Sequence, residues 1–133
     1  MLASEDVRSS VEAIIRDTYS RLSTPGSQFA DLFCDPDLTI VGSGQGELFA
    51  GPDIACRAAA GLATAGFDWD PGDITVWEHG TVVWAQIHGT TTVNRDDGPE
   101  SVPYFTTAVF GSVDGTWRWK FWGGSEPQEE PRV

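Results

Sequence analysis

The hydrophobic period of the chain changes about halfway along. Val7, Val11, Ile14, Ile15, Thr18 and Leu22 recur at spacings that place them on one face of a helix over residues 5–22. Glu5 and Asp6 stand near its start, where the helix dipole favours negative charge, and Ser23-Thr24-Pro25-Gly26 stops it. Phe29, Leu32 and Phe33 predict a short second helix over about Ser27–Cys34. Asp35-Pro36-Asp37 then turns the chain into a strand, Leu38–Val41. A third helix opens at Gly51-Pro52-Asp53, with proline suited to the first turn, and runs through an alanine-rich stretch to about Ala63. Beyond residue 67 the period shortens to two. Four strands are predicted: Phe67–Trp77, irregular at Pro71-Gly72, then Val82–Val93, Val102–Val113 and Trp117–Trp122. The Asp-Gly pairs at 97–98 and 114–115 lie between β-rich runs and signal hairpins, so this half reads as an antiparallel meander. Helices followed by such a sheet make an α+β order, with helices covering one sheet face.

No repeat or linker divides the 133 residues, and that length suits one domain, 1–133, with an acidic tail at about 125–133 expected to be mobile. Six Trp and seven Phe supply too much apolar surface for a disordered chain. Eight basic against twenty acidic residues leave a formal net charge of −12, a field that repels nucleic-acid backbones and anionic lipid. No apolar run approaches the roughly 20 residues that span a bilayer. The opening Met1-Leu2-Ala3-Ser4-Glu5-Asp6 lacks the basic and apolar regions of a signal peptide, so a cytoplasmic protein is expected.

Three features invite cofactor readings and fail them. Gly42-Ser43-Gly44-Gln45-Gly46 precedes a strand-like Glu47-Leu48-Phe49-Ala50 and no lysine, so it reads as a hairpin loop instead of a phosphate cradle. Asp68-Trp69-Asp70-Pro71-Gly72-Asp73 breaks the spacing of a calcium loop. Cys34 and Cys56 form no CxxC pair and have no histidine at zinc-ligand spacing; they read as buried free thiols. Neither a metal nor another cofactor is expected.

Candidate chemistry comes from the strands. Along 82–93, Val83, Ala85, Ile87, Gly89 and Thr91 alternate with Trp84, Gln86, His88 and Thr90. The second set combines an aromatic wall with hydrogen-bonding heads, as ligand pockets do. His88 is thus the leading acid/base candidate, since imidazole exchanges protons near neutral pH; a structural or interface histidine is the alternative. On the next strand Tyr104 is placed to donate its hydroxyl to a developing enolate, with Thr106 on the same face. Trp84, Gln86, Thr106 and Tyr19 of the first helix complete the candidate ligand contacts. In the last strand Trp117, Trp119 and Phe121 share one face, and Arg118, Lys120 and Trp122 the other. Aromatics on both faces point to a core backed by a dimer surface, or to a pocket for a flat hydrophobic ligand. A shift of one residue in register would exchange the two faces.

The stretch Phe29-Ala30-Asp31-Leu32-Phe33-Cys34-Asp35-Pro36-Asp37-Leu38-Thr39-Ile40 resembles the entry helix and first strand of nuclear transport factor 2-like domains. Glu47-Leu48-Phe49-Ala50-Gly51-Pro52-Asp53-Ile54 is similar to the hairpin and third helix of their SnoaL-like branch, and Asp114-Gly115 with Trp117-Arg118-Trp119 is similar to its close. The resemblance spans about residues 5–125. It implies a cone-shaped α+β barrel, three N-terminal helices packed in a strongly curved antiparallel sheet, with a pocket at the open end. It implies either cofactor-free acid/base cyclisation or isomerisation of a small, largely hydrophobic molecule, or a non-catalytic ligand-binding or assembly domain acting as a homodimer. Ketosteroid isomerase of this superfamily carries an aspartate base at the end of the first strand, where this chain reads Ile40-Val41-Gly42-Ser43; its oxyanion tyrosine corresponds to Tyr19.

Overall fold

A computed structural model describes residues 1–128. Among these the chain forms two helices, α1 (Glu5–Leu22) and α2 (Pro52–Thr64). Six strands accompany them: β1 (Thr39–Val41), β2 (Leu48–Ala50), β3 (Trp69–His79), β4 (Val82–Arg95), β5 (Gly98–Val113) and β6 (Thr116–Ser125). All six join one sheet in the order β2-β1-β6-β5-β4-β3. β3 to β6 are the expected antiparallel meander. β1 departs from that pattern by lying parallel to β6, which the long intervening connection permits.

Ser4 starts α1, its hydroxyl accepting from the Val7 amide at 3.4 Å. The apolar stripe of α1 buries Val11, Ile15, Thr18, Tyr19 and Leu22 on the concave face of the sheet. There it meets Val76, Val83, Ala85, Ile87, Ala108, Phe110 and Trp119 in one core. The helix expected over 27–34 is a single turn, in which the amides of Leu32 and Phe33 both bond the Phe29 carbonyl. So short a segment between proline-bearing turns cannot recover the cost of helix nucleation. Its apolar side chains are buried all the same, at 2% exposure for Phe29 and Phe33.

That turn also corrects the reading of Cys34, which is exposed; Cys56 is partly buried. Asp35 takes the buried place next door, 5% exposed. Its carboxylate accepts from the Asp37 amide at 2.8 Å and pairs with Lys120 Nζ at 3.0 Å. Burial pushes the Asp35 carboxyl up, but the Asp37 amide and the Lys120 ammonium outweigh it and hold it below the usual carboxylate range.

Two bulges bend the sheet. The first lies between Asp70 and Asp73 of β3, where Asp70 Oδ1 accepts from the Gly72 amide at 2.9 Å. A side chain at Gly89 opposite would strike the Asp70 and Pro71 carbonyls. The segment that superficially matches a calcium loop is therefore a bulge. The second sits at Lys120, since Phe110 pairs with Trp119 while Val109 pairs with Phe121. This extra residue resets the alternation, so Trp119 and Trp122 are both buried inside, contrary to their expected placement on opposite faces. β6 extends to Ser125, which still pairs with Phe105; of the tail expected to be mobile, residues 129–133 lie outside the described residues. No helix among the described residues is long and apolar enough to cross a membrane.

Candidate functional site

α2 is built largely from small residues. Ala55 and Ala63 seat it closely, while Ala58, Ala59 and Gly61, with Ala65 just past its end, leave space between helix and sheet. That space is a cavity of about 650 Å³, bounded across from α2 by Ile40, Phe49, Phe67, Trp69 and Trp122. A volume of this size falls within the range of small-molecule sites.

Aromatic rings form its inner wall. Trp69 meets Tyr104 edge to face with centroids 5.1 Å apart, and Trp122 lies 6.5 Å from Tyr104. Behind them Tyr19 packs 5.4 Å from Trp122, and its hydroxyl bonds Thr106 Oγ1 at 2.7 Å. Both members of that pair are essentially unexposed, and burial holds the Tyr19 phenol far above its ordinary value.

Polar groups gather on one side of the cavity. A side chain at Gly124 would occupy the position of the Tyr104 hydroxyl, so only glycine there lets the phenol reach across β6. Burial raises the Tyr104 phenol, the Trp122 indole and Ser43 hydroxyl lower it, and the carboxylates of Glu47 and Glu126 raise it; the balance is upward. Tyr104 is therefore a neutral hydrogen-bond donor at physiological pH. Ser43 Oγ donates to Glu126 Oε1 at 3.3 Å, and the Glu47 carboxylate folds back over Gly42 and Gly44. Thr91 lies on the inner face of β4 against the cavity, 4% exposed, and its hydroxyl has no hydrogen-bond partner among the described residues. An unmet buried hydroxyl costs about 1–3 kcal/mol, a deficit that a polar atom on a ligand would relieve.

The expected site residues divide between the two faces of the sheet. Tyr104 lines the cavity, and Tyr19 and Thr106 lie behind its wall. His88, Trp84 and Gln86 do not join them. The buried face of β4 is Val83, Ala85 and Ile87, whose apolar side chains join the core that α1 also enters; His88 and its companions face outward. His88 stacks on Phe105 at 3.9 Å, Trp84 on Trp77 at 6.4 Å, and Gln86 donates to Thr107 at 2.7 Å. The two expected catalytic residues, His88 and Tyr104, thus lie on opposite faces of the sheet. Ser43, Glu47, Thr91 and Glu126 escaped the reading of the strands because three of them sit in a loop and a chain end. Only the polar Thr91 within an apolar inner face carried a signal in the sequence.

No match to the chain by sequence was found among curated proteins. Solved structures do match. A cystatin-like-fold protein of Caulobacter vibrioides superposes with a TM-score of 0.77 at 16% identity, covering 91% of this chain and 89% of that one. A proposed dehydratase of the nuclear transport factor 2-like family from Streptomyces avermitilis gives 0.75 at 13% identity, over 95% and 100%. A proposed scytalone dehydratase from Novosphingobium aromaticivorans gives 0.75 at 16% identity, over 95% and 88%. A curved sheet wrapped on its helices, with a cavity under α2, defines the nuclear transport factor 2-like class. Within that class the profile of the SnoaL-like domain matches residues 11–129, and the chain belongs to the SnoaL-like family.

Proposed function

We propose that the cavity takes up a small, largely hydrophobic molecule, and that any proton transfer there falls to Tyr104 with the carboxylates of Glu47 and Glu126. The observation that carries this reading is an apolar cavity of about 650 Å³ bordered by one hydroxyl and carboxylate cluster. In cofactor-free cyclisation or isomerisation, a carboxylate removes a proton next to a carbonyl while a neutral phenol donates to the developing oxyanion. Loss of water from a β-hydroxy carbonyl uses the same pair, in keeping with the proposed dehydratases among the structural neighbours. His88 has no part in it, since it lies on the opposite face.

The second reading is a non-catalytic ligand-binding or assembly domain acting as a homodimer. The outer face supports it: Trp77, Trp84, Val109 and Phe121 align across four strands, beside the His88–Phe105 stack. Calorimetry with adamantanemethanol tests the cavity. Wild type should bind one equivalent, Ala58→Phe should weaken binding at least tenfold by filling the space, and His88→Ala should leave it unchanged. Loss of binding in His88→Ala together with full binding in Ala58→Phe would move the site to the outer face.

A further inference from the structure

The charge of the cavity lining is one-sided. Glu47 and Glu126 are its only carboxylates, and no Lys, Arg or His lines it among the described residues. The nearest arginine in sequence, Arg95 after Asn94, is engaged with Glu100 at 3.1 Å, and Lys120 is taken up by Asp35. The two carboxylates bracket Ser43, which donates to one of them and lies between the glycines over which the other folds. Tyr104 and Trp122, whose aromatic rings attract cations through their quadrupoles, line the same cavity. The buried Thr91 hydroxyl of the lining, without a partner among the described residues, marks a place for a polar atom on the ligand itself.

From this arrangement we infer that the cavity selects its occupant by charge, and that the occupant is an apolar amine. The hydrocarbon body lies against Trp69, Trp122 and the alanines of α2, and the protonated amine lies between Glu47 and Glu126. An apolar carboxylic acid of the same shape meets two like charges and no cation, and is rejected. The net charge of −12 acts in the same direction, drawing cations toward the protein. The inference rests on the cavity being a ligand site, as proposed above, and adds the chemical class of the ligand.

Three adamantane derivatives with one frame and different head groups separate the two claims: adamantanemethylamine, adamantanemethanol and adamantanecarboxylate, each titrated by calorimetry into the intact protein. The amine should bind about tenfold or more tightly than the carboxylate, the sum of several partly screened charge interactions, with the alcohol between them. Raising the salt should weaken the amine and leave the alcohol unaffected. Glu47→Gln with Glu126→Gln should bring amine and carboxylate to within about threefold of one another, with the alcohol unchanged as proof of an intact cavity. Equal binding of amine and carboxylate by wild type, or tighter binding of the carboxylate, overturns charge selection while alcohol binding keeps the cavity reading. Discrimination that survives the double substitution overturns the role of these two carboxylates. Failure of all three compounds to bind overturns both claims.

Discussion

The hydrogen bond between Tyr19 and Thr106 ties α1 to the wall of the cavity, and its removal has a calculable consequence. Tyr19 is 1% exposed and Thr106 is fully buried, with 2.7 Å between their oxygens. Tyr19→Phe keeps the ring contacts with Trp69 and Trp122 but strands the Thr106 hydroxyl in an apolar setting. Thr106→Val keeps the shape and strands the Tyr19 phenol. Each single change should cost about 1–3 kcal/mol, because the orphaned partner has lost its water without compensation. For a chain of this size, that lowers Tm by roughly 3–5 °C per kcal/mol. The double variant removes both polar groups and strands neither, so its cost should fall well below the sum of the singles, with a coupling of about 1–3 kcal/mol. Urea unfolding of the four proteins, followed by tryptophan emission, measures the cycle. Additive losses, or a Tyr19→Phe protein as stable as wild type, would refute the argument that this pair is coupled through a desolvated hydrogen bond.

Other expectations follow from the same physical reasoning. Both tyrosines of the chain are held above the ordinary phenol range, chiefly by burial, so their stabilisation is complete below the unfolded value of 10.0 and is lost as pH rises toward the folded values; tyrosinate absorbance should appear together with alkaline unfolding, and free titration of native protein near pH 10 would contradict it. Asp35 has the opposite sign: its contribution is present above the unfolded carboxyl value of 3.8 and disappears as pH falls through its lowered folded value. Lys120→Met should therefore move acid unfolding to higher pH, and an unmoved acid midpoint would count against the ion pair. Gly124→Val should displace the Tyr104 ring and weaken ligand binding at least tenfold, an effect that calorimetry with adamantanemethanol would detect. If the outer aromatic band joins two copies, light scattering should find a dimer for wild type and a monomer for Trp84→Glu; a wild-type monomer at micromolar concentration would remove the assembly reading.

Most of the secondary structure was legible in the amino-acid sequence, and for a local reason. Periodicity, turn chemistry and caps act over a few residues, so α1, α2 and the four strands of the meander fall close to where the pattern puts them. The SnoaL-like family was legible too, because the order and spacing of elements survive when individual side chains do not. Alternation along β4 separated Val83, Ala85 and Ile87 from Trp84, Gln86 and His88, but a period of two defines two sets without saying which is inside. Packing in the shared core decided that, and it favoured the smaller, more apolar set. The bulge at Lys120 put Trp119 and Trp122 on one face, which a strict alternation cannot reveal. The hydroxyl and carboxylate cluster brings Ser43, Glu47, Tyr104 and Glu126 together from a loop, the middle of a strand and a chain end. Such convergence depends on contacts between residues far apart in the chain, and only the tertiary structure determines it.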